Sequence, residues 1–100
     1  MPIFEIAFRP RAAKAFAKLD PMVQRQLARK LKERSENPRV AGDAVREIAS
    51  GYKIKLRASG IRLIYQVRDH QLVILVLAVG KREREDAYAD AVREFKNLND

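Results

Sequence analysis

Residues 52–65 read YKIKLRASGIRLIY, and their period of two decides the fold. Tyr52, Ile54 and Leu56 alternate with Lys53, Lys55 and Arg57, the pattern of a strand with one apolar and one charged face. Ser59-Gly60 supplies a turn, and the alternation resumes from Ile61, so the stretch is expected to form an antiparallel hairpin. On that pairing Arg62 is expected across from Arg57, on the cationic face. Like charges facing each other across strands are destabilising. A chain that builds such a face is expected to hold something anionic against it.

Outward from the hairpin, strands are expected at about 51–57, 61–68 and 71–79, with a tight turn at Asp69-His70. The last of them contains LVILVLAV (72–79), apolar on both faces as in an internal strand covered on each side. Gly80 ends it. A helix then begins near Glu83, where Glu83, Glu85 and Asp86 suit the positive end of the dipole, and continues to about Phe95. Upstream, Phe4, Ile6 and Phe8 alternate in a first, half-buried strand that Pro10 closes. Apolar residues at helical spacing follow from Arg11 to Leu19. Asp20-Pro21 then starts a second helix with Val23, Leu27 and Leu31 inward, which stops before Asn37-Pro38. Residues 38–50 read as a loop with a short turn around Val45. The order is βααβββα. It predicts one α+β domain over residues 1–100, with 1–3 and 97–100 fraying. A helical hairpin packs on a mostly antiparallel four-stranded sheet, with a C-terminal helix.

One hundred residues bound a single modest core, and 47% hydrophobic residues make the chain globular. The 21 Lys and Arg against 13 Asp and Glu leave a formal charge of +8, which favours a polyanionic partner. A basic surface kept for solubility is the plainer reading of charge alone. The absence of cysteine excludes disulfides, thiol catalysis and cysteine-ligated zinc. No segment approaches the roughly 18 apolar residues of a membrane span, so a soluble cytoplasmic protein is expected.

The usual catalytic sets are missing. His70, the one histidine, falls in a predicted turn, and no glycine-rich phosphate loop or metal-ligand cluster occurs, so no metal or cofactor is expected. Glu33, Glu36 and Glu47 read as ordinary surface. Chemistry would have to come from Lys, Arg and Tyr. Cleavage of RNA through its own 2′-hydroxyl fits, because it needs positioning, proton transfer and charge stabilisation but no protein nucleophile. An amine crowded by other cations gives up its proton more readily, whereas arginine stays charged and clamps. Against that, Lys53 and Lys55 alone also fit a solvated strand face. A second cluster, GKRERE at 80–85 with Tyr88, sits at the strand-to-helix junction. Tyr88 could stack on an unpaired base, yet it also shares a helical stripe with Val92 and Phe95 and could be core. Strand parity does not say whether Arg82 faces the same way as Lys53.

The segments NPR (37–39), YKIKLRASGIRLIYQV (52–67) and VGKRERxxxYxxAV (79–92) resemble the RelE-type toxins of the RelE/ParE superfamily, bacterial toxin–antitoxin proteins with a microbial-RNase-like fold. The resemblance spans nearly the whole chain and is weakest from Ala41 to Ser50. It implies a toxin that cleaves mRNA in the ribosomal A site, inhibiting translation, without a metal or cofactor. Carried over by motif, the implied catalytic residues are Lys53, Lys55, Arg62, Arg82 and Tyr88. Lys53, Lys55 and Tyr88 would orient and move protons, and Arg62 and Arg82 would stabilise the phosphate. Arg57, Lys81 and Arg84 would be auxiliary contacts to RNA or ribosome. The implied partners are a cognate RelB-like antitoxin, the ribosome with its mRNA, and operator DNA only through the antitoxin. Two alternatives remain: a ParE-like DNA gyrase inhibitor sharing the fold, and a non-catalytic basic RNA-binding module.

Overall fold

Asp20 and Pro21 start the longest helix for the reasons their chemistry gives. The Asp20 carboxylate accepts a hydrogen bond from the Met22 amide at 2.8 Å, and Pro21 occupies the first helical position. The computed structural model describes residues 3–81 and 86–99. Its strands are β1 (Glu5–Phe8), β2 (Ala44–Val45), β3 (Gly51–Leu56), β4 (Ile61–Arg68) and β5 (Val73–Lys81). Its helices are α1 (Pro10–Ala17), α2 (Pro21–Glu36) and α3 (Asp86–Asn99). The strands form one sheet in the order β1-β5-β4-β3-β2, antiparallel throughout except for β1 beside β5.

The expected α+β class and order of helices hold, with three corrections, while the expected start of the last helix near Glu83 lies outside the described residues. The sheet has five strands because Ala44 and Val45, expected in a loop, pair with Tyr52 and Gly51. Two residues carry no readable period; burial of Val45 beneath α3 fixes them. Helix α3 runs to Asn99 and not to about Phe95, because Leu98 adds one more partly buried contact to the core on that side. Strand β5 runs from Val73 to Lys81 and not over 71–79: Leu72 takes a left-handed conformation (φ 54) after the 69–71 turn that carries His70, and Gly80 does not end the strand but pairs with Arg62 within it.

Alternation splits the sheet between two cores. Tyr52, Ile54 and Leu56 join Ile61, Leu63, Tyr65 and Val67 against Leu27 and Leu31 of α2 and Ala12 of α1. The opposite face packs Ile64, Leu77 and Ala78 against Ala87 and Ala91 of α3. One irregularity re-phases β5. Ile64 pairs with Ala78 but Tyr65 with Val76, so Leu77 is an extra residue. Leu77 and Ala78 therefore both face α3, Val79 turns back to the helical hairpin, and Gly80 comes round to α3.

Tyr65 is fully buried and ties the α2 side together. Its hydroxyl donates to the Pro38 carbonyl at 2.6 Å and accepts from Arg34 Nη1 at 2.8 Å. Arg34 also donates to Asp43 Oδ2 at 2.7 Å and to the Lys53 carbonyl at 3.2 Å. Burial pushes the Tyr65 phenol above its ordinary 10.0, partly offset by the Arg34 hydrogen bond and charge. The folded state thus keeps a proton that the unfolded chain releases. This stability is fully present below pH 10.0 and is lost as pH rises through the folded value. Replacing Tyr65→Phe leaves Arg34 Nη1 with the Lys53 carbonyl as its one remaining partner and deprives the Pro38 carbonyl of its donor. Urea unfolding at neutral pH should show a loss of about 1–3 kcal/mol, and the alkaline limb of the stability profile should become shallower.

Candidate active site

The cationic face lies on the α3 side of β3 and β4. Lys53 and Lys55 alternate with residues buried against α2, so their side chains emerge on the other face. Register sets Lys55 opposite Arg62 and Lys53 opposite Ile64. The expectation that Arg62 faces Arg57 is therefore corrected. The connection takes four residues, 57–60, with Gly60 in the left-handed region (φ 70) and its amide bonded to the Leu56 carbonyl. Arg57 leaves the ladder and sits in the turn. It still meets the others, because Lys55, Arg57 and Arg62 line one cavity of about 340 Å³ at the hairpin end.

Helix α3 brings Tyr88 to the same place. Its ring centroid lies 5.2 Å from Arg62 Cζ and 5.9 Å from Lys53 Nζ, within cation–π range. Gly80, opposite Arg62 on β5, makes this approach possible: a Cβ there would stand 3.2 Å from the Ala87 amide nitrogen, one residue before Tyr88. Tyr88 is half-buried and packs with Val92 and Phe95, as the helical stripe led one to expect. It is a core residue on one side and a cation partner on the other. The Nε of Arg62 is buried with no hydrogen-bond partner among the described residues. An arginine so placed has donor capacity for an anion.

Lys81 ends β5 opposite Ile61, one step out of phase with Gly80 and Arg62, and is exposed. Arg82 and Arg84 lie outside the described residues. Two residues near the site escaped the sequence reading. Arg34 reaches across from α2 to hold the Lys53 carbonyl, a link between an apolar-face helix and the lysine-bearing strand that no periodicity reports. Glu47, read as ordinary surface, lines a cavity of about 510 Å³ with Arg62, Tyr88, Ala89 and Val92. Its only sequence signal was position, four residues before β3. Among the described residues no cluster of His, Asp or Glu could hold a metal, and no helix is long and apolar enough to cross a membrane.

Such an arrangement can hold a phosphodiester against Lys55, Arg57 and Arg62 with an aromatic ring beside it, on a five-stranded sheet flanked by helices. Residues 6–86 match the family described as ParE toxin of type II toxin–antitoxin system, parDE. The mRNA interferase toxin RelE of Escherichia coli strain K12 is 48% identical over 88 residues, 88% of this chain and 93% of that protein. A free double arginine-to-alanine mutant of E. coli RelE superposes with a TM-score of 0.85 at 43% identity, covering 91% of this chain and 96% of that one. RelE from the intact E. coli RelBE toxin–antitoxin complex gives 0.76 at 45% identity, covering 78% and 95%. The chain belongs to this family of type II toxins and, within the RelE/ParE superfamily, is of RelE type.

The cationic cluster makes an electrostatic prediction independent of catalysis. Single-stranded RNA binding should weaken with salt, and Lys55→Gln or Arg62→Gln should each reduce the log–log salt slope by about 0.7. Lys96→Gln, near the far end of α3, should leave the slope unchanged. Fluorescence anisotropy across a salt series checks this.

Proposed function

We propose that this chain is an mRNA interferase: an endoribonuclease that cuts mRNA in the ribosomal A site by attack of the RNA's own 2′-hydroxyl, without a catalytic metal. The observation carrying this reading is the Tyr88 ring set against Lys53 and Arg62 over the strand that also bears Lys55. In the reaction the 2′-oxygen loses its proton and bonds to phosphorus, and the bond to the 5′-oxygen breaks. A second proton goes to that leaving oxygen. The products are a 2′,3′-cyclic (or 3′) phosphate and a 5′-hydroxyl. Lys53, Lys55 and Tyr88 are assigned to orientation and proton transfer, and Arg62 and Arg82 to the charge that builds on the phosphorane. Arg57, Lys81 and Arg84 are assigned to auxiliary contacts with RNA or ribosome.

E. coli RelE has been solved with its antitoxin RelB. A RelB-like antitoxin is proposed to cover the basic face of this chain, to contact operator DNA on its behalf, and to act with it in the cytoplasm. A second reading is kept because the matching family is named for ParE. It makes the chain a gyrase inhibitor with the same fold.

Mapping of mRNA 5′ ends in a translating extract decides between them. Wild type should cut in the A site only when ribosomes are present, and Tyr88→Phe and Arg82→Ala should lower cleavage by about 10²- to 10⁴-fold. Intact message together with impaired DNA supercoiling would establish gyrase inhibition instead. Metal independence is read from a phosphorothioate at the cleaved linkage: manganese should not rescue any slowing it causes.

A further inference from the structure

Two cavities meet at Arg62, and their linings differ in kind. One carries Lys55, Arg57 and Arg62 and, among the described residues, no acid. The other is lined by Tyr88, the apolar Ala89 and Val92, Arg62 and the acidic Glu47. A carboxylate repels phosphate, so a bound nucleotide is sorted between them: phosphate towards the cations, base towards Tyr88 and Glu47. Glu47 is exposed, but its backbone is fixed. Val45 and Ile48 on either side of it are buried, and the Ala49 carbonyl accepts from Gln66 Nε2 at 3.0 Å. Its position is thus built into the sheet edge.

We infer that Glu47 is a specificity-determining residue, which reads the Watson–Crick edge of a guanine stacked on Tyr88, next to the phosphate held by Arg62. A carboxylate only accepts hydrogen bonds, and it has two oxygens to accept them with. Guanine is the one base whose Watson–Crick edge offers two adjacent donors, N1–H and the N2 amino group. Adenine presents one donor beside one acceptor, cytosine one donor beside two acceptors, and uracil a single donor between carbonyls. Unpaired bases are commonly recognised by stacking plus hydrogen bonds to this edge. The inference deepens the proposed function by naming a base, and it rests on that reading only for the phosphate's place at Arg62.

Uncleavable 2′-O-methyl trinucleotides with guanine, inosine or adenine between two uridines test it without ribosomes or chemistry. Anisotropy on the full chain should show guanine bound roughly five- to 150-fold more tightly than adenine, with inosine, which lacks the N2 amino group, between them. Glu47→Gln presents one donor and one acceptor and should reverse the order in favour of adenine. Thermal unfolding will confirm that this exposed substitution leaves the fold intact. Tyr88→Leu should weaken all three ligands while preserving their order. Equal affinities in wild type, an unchanged order in Glu47→Gln, or no measurable binding would each overturn the inference. Failure of the two readings is separable. Wild type that binds guanine selectively but leaves mRNA intact would remove only the cleavage, and wild type that cuts mRNA with no base preference in binding would remove only the role of Glu47.

Discussion

Everything at the site depends on the register of β3 against β4. That register places Lys55 directly opposite Arg62, a pairing that is itself unfavourable. What enforces it is the other face. A slip of β3 by one residue would turn Tyr52, Ile54 and Leu56 away from the α2 core while β4 kept its place, and each buried aliphatic side chain contributes roughly 1.5–3 kcal/mol. Tyr65 adds a directional constraint, because its hydroxyl bonds Pro38 and Arg34, and Arg34 in turn bonds the Lys53 carbonyl of β3. The cations are thus held together by the packing behind them, and their repulsion is kept available for an anion to relieve.

The same two-faced period made this half of the fold legible in the sequence. Tyr52–Leu56 and Ile61–Tyr65 each alternate, so the apolar face and the place of Lys53, Lys55 and Arg62 opposite it could be read directly, whereas the four-residue turn that takes Arg57 off the ladder could not. Strand β5 could not be read that way. It is apolar on both sides, so the extra residue at Leu77 leaves no trace in the pattern, yet it decides that Gly80 rather than Val79 faces α3. Tyr88 was ambiguous for a related reason. Helical spacing identified its stripe correctly, but a stripe does not reveal that its edge reaches over Arg62. The contributions of Ala44–Val45, Arg34 and Glu47 depend on tertiary contacts between segments distant in sequence. The segment holding Glu47 is also where the resemblance to the family is weakest.

The family match illustrates how far a fold constrains function. The matching model is named for ParE and the similar proteins for RelE, and one scaffold serves both names. What the scaffold supplies is a rigid pair of strands and a helix laid across their ends. What it leaves free is the set of side chains facing α3. In this chain that set is Lys53, Lys55, Arg62 and Tyr88, gathered within one face. The functional reading rests on that set more than on the superposition.

The distribution of carboxylates supports the same view of the site. With 13 Asp and Glu against 21 Lys and Arg, acids are scarce, and where they are placed matters. Asp43 pairs with Arg34, Asp69 with Arg39, Asp90 with Arg11 and Arg93, and Glu94 with Arg9. These pairs fasten loops and helix ends to their neighbours. The Arg9–Glu94 contact, at 2.8 Å and largely buried on the glutamate side, ties the last turns of α3 to the junction of β1 and α1. Among the described residues none of these pairs involves Lys53, Lys55, Arg57 or Arg62. Acidic groups are used where they hold α3 and the 38–50 segment in place, and among the described residues the cations under α3 take no part in an ion pair. The positive charge is therefore a local property of the site, and it is concentrated where the sheet, the hairpin turn and Tyr88 meet.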